Sequence, residues 1–232
     1  MNKSIETDIL IIGAGPVGLF TVFEAGLLGL KCHLVDNLDK IGGQCIELYP
    51  EKPIYDIPGV PNQTGKEHID SLLKQIEPFD YEVHLNQRVD KIEQSGDHWI
   101  AETTDGISFK TLNIFIAAGA GSFEPRKPPV ESPDKFLGKG IDYAVRSVDK
   151  YKDKDIVIFG GGDSALDWSV ELANKAKSIK LVHRRDDFRG AEHTENKMRN
   201  FVASGEIELK IPFVIKSIVC LLYTSDAADD SQ

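Results

Sequence analysis

One local pattern occurs twice in the chain and restricts its fold more than any other feature. An apolar run leads into a glycine-rich loop and then into a helical segment, first at residues 9–28 and again at residues 156–176. The loops read GAGPVG at residues 13–18 and GGGDSA at residues 160–165. Another short apolar run follows each helix, and strand, helix and strand together form a βαβ unit with parallel strands. The sequence therefore predicts an α/β protein with two such units.

The first loop has the spacing of a Rossmann-like dinucleotide-binding site. Gly13 permits the tight turn, Gly15 lets the backbone approach a pyrophosphate, and Gly18 lets helix and strand pack closely. Pro16 begins the helix, and Asp36 follows Gly18 by 18 residues, near the spacing of an acid that accepts hydrogen bonds from a ribose 2′-hydroxyl. We predict that these five residues contact a first dinucleotide. The alternative is a βα turn that binds no ligand.

The second loop carries alanine where the first has its third glycine. This variant also fits a dinucleotide site when it lies between a strand and a helix. Its candidate contacts are Gly160, Gly162, Asp163, Ser164 and Ala165.

The residue that selects the nucleotide differs between the two copies. Asp36 lies 23 residues after Gly13, and the same count from Gly160 reaches His183, so the acid is missing. Basic side chains follow at Arg184, Arg185 and Arg189. A carboxylate repels a 2′-phosphate, whereas guanidinium groups bind it through charge-assisted hydrogen bonds. We predict NADPH at this site, and the alternative is a solvated basic surface balanced by the two aspartates that follow.

Two different nucleotide sites on one chain predict an electron-transfer enzyme. FAD at the first site would accept hydride from NADPH at the second, and the flavin would carry the chemistry. No side chain has to act as an acid or base in this step. We therefore predict no catalytic residue and no metal ligand.

The segments between and after the two copies indicate how the chain is divided. Alternating residues at 89–118, with SGD at 95–97 and DG at 105–106, predict a β-meander inserted in the first domain. The proline-rich segment 123–129 predicts a linker. The expected domains are an FAD-binding domain at residues 1–122 and an incomplete NADPH-binding domain at residues 123–219.

Two shorter signals concern single elements. Thr64 with Glu67 three residues later predicts a helix that begins with a capping box. Residues 213–219 have a strand-like composition, and we expect the native sequence to end there. The remaining residues, 220–232, resemble a translated sequencing adapter and are predicted to be a non-native tail, the alternative being a disordered acidic terminus.

The overall composition excludes several classes of protein. A net charge of −10 opposes binding to nucleic acid. The apolar runs are far shorter than the roughly 20 residues that span a bilayer, and the N-terminus resembles no signal peptide, so we expect a cytoplasmic protein without membrane contact. The three cysteines, Cys32, Cys45 and Cys220, form no C-x-x-C pair and predict neither a disulfide scaffold nor a cysteine metal site.

Several motifs in combination resemble one family, the ferredoxin-NADP reductases of the thioredoxin-reductase-like type. They are GAGPVGL at 13–19, GGQ at 42–44, LYPEK at 48–52, YD at 55–56, AAGAG at 117–121, GGGDSA at 160–165 and HRR at 183–185. The resemblance implies an NADPH domain inserted into an FAD domain, a homodimer, and electron transfer from NADPH through FAD to ferredoxin. The sequence itself does not name the acceptor, and a flavodoxin or another carrier would also fit. The resemblance also implies that FAD contacts fall on Asp36, Gln44, Tyr49, Val89 and Phe123. Gly43 is a further candidate contact, because the glycine pair before Gln44 permits close approach of the backbone.

Three other interpretations remain open from the residues. Thioredoxin reductase shares both glycine loops but needs a C-x-x-C dithiol ahead of the second one, where this chain reads GIDYAV at residues 140–145. A flavin monooxygenase would carry a His-containing linker signature, which we do not find. A nucleotide-binding fragment without turnover is the third. In the relatives, the chain passes back into the FAD domain after the NADPH domain and completes it. We therefore expect these 232 residues alone to bind FAD weakly and to be inactive.

Overall fold

The computed structural model describes residues 4–121 and 127–219. Within these residues the chain folds as two compact units. The first contains residues 4–121 and Tyr143–Lys150, and the second contains residues 127–142 and 151–219. Both units are α/β with parallel strands, so the predicted fold class of two Rossmann-like domains is confirmed. The functional domain limits at residues 1–122 and 123–219 stay a prediction, and Tyr143–Lys150 belongs to the first unit in space.

The first unit is built around a six-stranded sheet with strand order β5-β2-β1-β8-β7-β6. Its elements are β1 (Ser4–Ile12), α1 (Pro16–Leu27), β2 (Cys32–Val35), α2 (Gln44–Glu47), β3 (Pro53–Ile54), β4 (Gln63–Thr64), α3 (Gly65–Ile76), β5 (Tyr81–His84), β6 (Val89–Ser95), β7 (His98–Thr103) and β8 (Ser108–Ile116). Strands β5, β2, β1 and β8 are parallel, and β8, β7 and β6 form the predicted antiparallel meander. Both tight turns of the meander use a glycine with positive φ, Gly96 and Gly106.

Helices α1 and α3 cover one face of this sheet and form the main core. The core joins Leu19 and Val22 of α1 to Ile69 and Ile76 of α3. The capping box of α3 is confirmed: the Thr64 hydroxyl accepts the Glu67 amide at 3.2 Å, and the Glu67 carboxylate accepts the Thr64 amide at 2.7 Å. Two orphan amides at the start of the helix are thereby satisfied.

Helix α1 is less covered than its composition suggests. Its apolar side chains are numerous enough to predict burial on most sides, but Val17, Phe20 and Leu27 are exposed. Only the stripe that includes Leu19, Val22 and Ala25 is buried, because among the described residues the sheet and α3 cover only that side.

The second unit contains a three-stranded parallel sheet with strand order β11-β10-β9. Its elements are β9 (Asp155–Phe159), α4 (Asp163–Leu172), β10 (Ser178–Val182), α5 (Glu192–Ser204) and β11 (Ile207–Lys210), with a short 3-10 helix at Pro133–Phe136. A second 3-10 helix, Asp149–Tyr151, lies where the chain passes from the first unit to the second. The sequence patterns did not predict α5 and β11. The expected strand at residues 213–219 is wrong: the segment is irregular, and Phe213, Val214 and Val219 are exposed.

No helix among the described residues combines the length and the apolar character needed to cross a membrane.

Candidate nucleotide-binding sites

The first unit has a cavity of about 520 Å³ at the carboxyl ends of β1 and β2. In parallel α/β sheets, ligands bind outside the carboxyl ends of the strands, at the point where the strand order reverses. The predicted residues among its walls are Gly13, Gly15, Pro16, Asp36, Gly43, Gln44, Tyr49 and Val89. Phe123 lies outside the described residues. The structure therefore brings eight of the predicted contacts of the first site into one cavity.

The GAGPVG loop is shaped by backbone contacts that leave no room for side chains. Gly13 has φ +112°, and a Cβ there would collide with the carbonyl oxygen of Ala117. A Cβ on Gly18 would collide with the carbonyl oxygen of Gly13, which agrees with the packing role that the pattern gives this glycine. Gly18 is not among the residues that line the cavity, and its contact with a nucleotide stays a prediction. Both glycines let β1, β8 and α1 approach closely.

The start of α1 fits a phosphate group. Gly15 is the N-cap residue, no side chain caps the helix, and no acidic residue stands in its first turn. A Cβ on Gly15 would meet only the Cα of Gly43, at 3.8 Å, so the loop is open to the cavity. Unpaired amides and the positive end of the helix dipole favour an anion at this position.

Asp36 holds the neighbouring loops by hydrogen bonds to the backbone. Its Oδ2 accepts the Ala14 amide at 2.7 Å, and its Oδ1 accepts the Leu38 amide at 2.9 Å. A carboxylate has about four acceptor positions, so about two remain for a ligand hydroxyl. Asp36 can therefore bind a ribose and at the same time fix the loop that would hold the phosphates.

A second wall of the cavity comes from the glycine pair and α2. Gly43, with φ +55°, begins α2, and a Cβ on it would lie 3.0 Å from the Cα of Gly15. Inside this wall the Cys45 thiol donates to the Tyr49 hydroxyl at 3.7 Å. Burial raises the pKa of Cys45, and burial first, then Cys45, raises the pKa of Tyr49 to about 12. Both groups are neutral near pH 7, which makes Cys45 a poor nucleophile.

Several cavity residues were missed by the sequence patterns. They include Asn37, Leu38, Cys45, Glu47, Gln87, Arg88, Ala117 and Ala118. Gln87 and Arg88 precede the meander in a segment without periodicity, and the alanines line the cavity just beyond the end of β8. The AAGAG motif at residues 117–121 was the one available signal for the alanines.

In the second unit the GGGDSA loop joins β9 to α4 as predicted. Gly160 has φ +150°, and a Cβ there would lie 2.9 Å from the Cβ of Ala165. Gly162 is the N-cap residue of α4, with no side-chain cap and with open space at its Cα. The start of α4 thus shares the glycine N-cap and the lack of a side-chain cap with the start of α1, but it differs in carrying an acidic residue, Asp163, in its first turn. Ser164, in its first turn, is exposed.

Two of the predicted contacts at this loop also have structural roles. The Asp163 carboxylate accepts the Ala191 amide at 2.8 Å, which ties α4 to the start of α5. The His183 Nε2 lies 3.1 Å from the Asp187 carbonyl oxygen, and its ring packs against Gly161 and Phe188. His183 therefore supports the basic loop, and contact with a nucleotide stays a prediction for both residues.

The basic residues of this loop are available to a ligand. Arg184, Arg185 and Arg189 are exposed. Their guanidinium groups form no hydrogen bond or ion pair within residues 4–121 and 127–219, and the Arg189 amide donates to the Gly161 carbonyl at 2.7 Å. That bond holds the basic loop beside the glycine loop, so the two parts of the predicted NADPH site are adjacent.

The two units define a protein with two dinucleotide-binding α/β folds, each with its glycine loop at the first strand-to-helix junction. Residues 7–221 match the model of the pyridine nucleotide-disulphide oxidoreductases, and the chain belongs to this family. Ferredoxin–NADP reductases and thioredoxin-reductase-like proteins of this kind bind FAD and NADP.

Individual relatives agree with the resemblance stated from the motifs. The chain is 56% identical over 212 residues to a ferredoxin–NADP reductase of Bradyrhizobium sp. strain BTAi1, and 55% identical to that of Rhodopseudomonas palustris strain BisB18. Each match covers 91% of this chain and 62% of the relative, so the chain spans less than two thirds of their length. The crystal structure of Lactococcus lactis thioredoxin reductase is similar at 26% identity with a TM-score of 0.78, covering 92% of this chain and 67% of that chain.

Proposed function

We propose that the protein is a flavoprotein that transfers electrons from NADPH through FAD to ferredoxin, or to flavodoxin. The first unit would hold FAD and the second NADPH. The resemblance to ferredoxin–NADP reductases also supports a homodimer, and we propose the cytoplasm as its location.

The observation that carries the proposal is the difference between two otherwise similar nucleotide loops. One has an acid, Asp36, that faces the cavity beside open helix amides. The other has exposed arginines, Arg184 and Arg185, beside a helix start that also has no side-chain cap. An acid suits an unphosphorylated ribose and arginines suit a 2′-phosphate. Relatives at 51–56% identity that carry the name ferredoxin–NADP reductase support the same pair of ligands.

The first cavity fits FAD by its shape and its donors. Its volume lies in the range of small-molecule sites, about 300–1,000 Å³. Glycines line it where phosphate oxygens need backbone amides, and a Cβ on Gly13 would be blocked. When bound, FAD would accept a hydride, two electrons and a proton, from NADPH and release the electrons singly to two acceptor molecules. The chain's own residues bind and orient the nucleotides and exclude water.

The experiment that tests this function uses a protein of the full length of the curated relatives, of which this chain spans 62%, under anaerobic conditions, because we expect these 232 residues alone to bind FAD weakly. This longer protein is called the intact protein below. NADPH should bleach the flavin absorption, and addition of oxidised ferredoxin should restore it. A protein that carries no flavin, or one whose flavin NADPH does not reduce, contradicts the proposal. Reoxidation by flavodoxin but not ferredoxin would identify the other acceptor.

A thioredoxin-reductase-like enzyme with a disulfide acceptor is the second candidate, favoured by the likeness to the Lactococcus lactis structure. Such an enzyme reduces its own dithiol, but this chain has three cysteines and no C-x-x-C pair. Thiol titration before and after NADPH reduction distinguishes the two candidates. We expect no gain of reactive thiols, and a gain of two would favour the second candidate.

A further inference from the structure

The segment Tyr143–Lys150 lies beyond the proline-rich linker in sequence but belongs to the first unit. It is attached there by two contacts to the segment that follows the glycine pair. The Arg146 guanidinium forms an ion pair with the Glu47 carboxylate. The Val148 amide donates to the Glu51 carboxylate at 2.5 Å. Val148 itself is buried.

The first contact closes the end of α2, the helix that carries Gln44 and Cys45. This helix is only four residues long, and a single turn is not stable without outside support. Its last carbonyl groups have no partner within the helix. The Arg146 Nε donates to the Glu47 carbonyl oxygen at 3.3 Å, so one arginine binds both the backbone and the side chain at this end.

The same contact balances a charge on the cavity wall. Glu47 lines the cavity, and only 23% of its side chain is exposed. If Asp36 holds the adenosine ribose and the start of α1 holds the pyrophosphate, the wall formed by α2 remains for the flavin end of FAD. A flavin that accepts electrons gains negative charge, which an unpaired carboxylate nearby would oppose.

We propose that Arg146 is a positioning residue of the flavin site, which fixes α2 and balances the charge of Glu47 and thereby favours flavin reduction. This inference rests on the proposed function and adds to it a residue from outside the sequence of the FAD-binding motifs. Arg146 touches neither nucleotide in this assignment and acts through Glu47.

The test compares variants of the intact protein by the equilibrium between bound flavin and a reference dye of known potential. Arg146→Gln should shift this equilibrium about two- to fivefold toward oxidised flavin, the size of effect that a partly exposed ion pair gives. Arg146→Lys keeps the charge and should retain most of the wild-type equilibrium. Glu47→Gln combined with Arg146→Gln removes both charges and should restore it. Lys66→Gln, which breaks a surface ion pair with Asp70 on α3, is the matched control and should change nothing.

The outcomes separate the inference from the proposed function. An unchanged equilibrium in Arg146→Gln with full flavin content overturns the inference alone, and so does a shift that persists in the double variant. If Arg146→Gln folds but loses its flavin, recovery of flavin in the double variant supports the charge-balancing role, and continued loss in both overturns it. A wild-type protein without flavin contradicts the proposed function, and the inference about Arg146 falls with it.

Discussion

Among single residues, Asp36 supports the cavity, and we propose that it also binds the ligand. Its carboxylate accepts two backbone amides, from Ala14 and Leu38. In Asp36→Asn the side-chain nitrogen cannot accept a hydrogen bond, so the backbone amide of either Ala14 or Leu38 loses its acceptor. We expect a loss of about 1.5–3 kcal/mol of stability and FAD binding weakened about tenfold or more. Urea unfolding and flavin fluorescence titration measure the two effects.

The exposed Asp39→Asn is the control for this variant, because it removes the same charge close by. Equal flavin affinity in Asp36→Asn and wild-type protein would show that Asp36 does not contact the cofactor. In that case the stability loss alone should remain, since the two amide contacts are present without a ligand.

The arginines of the second loop should determine the choice between the two nicotinamide nucleotides. Arg184→Gln with Arg185→Gln would remove the charge-assisted hydrogen bonds that we propose to a 2′-phosphate. We expect kcat/KM for NADPH to fall about tenfold or more, while that for NADH changes little. Lys197→Gln, on the exposed side of α5, is the control for loss of positive charge. An equal fall with both nucleotides would contradict the assignment of these arginines.

At the level of elements, strands β2 and β5 carry a histidine pair, in which His33 is buried and His84 is half-buried. The His33 Nδ1 and the His84 Nε2 are 2.9 Å apart, and the rings are nearly parallel with centroids 5.2 Å apart. That centroid distance is the N–N distance plus about one ring radius on each side, so the rings lie end to end in one plane. The nitrogens therefore point at each other and share a hydrogen bond. Although Glu82 is close enough to complete a set of metal ligands, this arrangement does not converge on an ion.

The histidine pair gives the first unit a pH dependence. Burial lowers the pKa of His33, against the smaller opposing effect of Glu82, with His84, Lys31 and Asp80 also nearby. The unfolded chain therefore binds the proton more tightly than the folded chain. The stabilisation is complete above the unfolded pKa, about 6.5, and decreases as the pH falls below it.

We expect the free energy of unfolding of the first unit to decrease between pH 7 and pH 5. His33→Leu removes the titrating group and should flatten this slope, whatever its effect on absolute stability. The exposed His193→Gln is the control and should keep the wild-type slope. A slope that is the same in His33→Leu and wild-type protein would show that another group causes the dependence.

The elements also differ in how far the sequence predicts them. The first strands and helices of both units follow from local signals: apolar runs, glycine loops and the Thr64 capping box. Helix α5 has mostly polar residues and begins at Glu192 without a side-chain cap, so its apolar pattern is weak. The local signals that remain are the acidic residues Glu192 and Glu195 in the first turn and Gly205 with φ +86° at the end. The irregular segment 213–219 was mistaken for a strand because its apolar residues suit a strand, although no described strand pairs with it. Strand pairing depends on the tertiary structure, which the local composition does not determine.

In the molecule as a whole, the cavity brings together segments that are distant in sequence. The glycine loop at residues 13–18 and the acid Asp36 could be predicted, because the spacing between them follows from a single βαβ unit. Glu47, Arg88 and Arg146 could not, since their positions depend on how irregular segments fold back onto the sheet. The return of Tyr143–Lys150 to the first unit has no local signal either, because the contacts that hold it are long-range.

Separate cores in the two units predict separate responses to the two nucleotides. The buried residues of the first unit surround β1, α1 and α3, whereas those of the second surround β10, α4 and α5. A ligand stabilises the unit that binds it, by an amount that grows with its concentration above Kd. We therefore expect two thermal transitions in the intact protein, with FAD raising the midpoint of one and NADP⁺ that of the other.

Calorimetry with each nucleotide alone measures the two midpoints. The transition of the first unit is the one whose midpoint decreases between pH 7 and pH 5, because of His33. NAD⁺ at the same concentration is the control for NADP⁺ and should shift the second transition less, because it lacks the 2′-phosphate that Arg184 and Arg185 would bind. One transition that both nucleotides raise equally would mean that the units unfold together. In that case we would first substitute Arg146, whose contact helps to hold Tyr143–Lys150 on the first unit, because the chain passes directly from this segment into the second unit.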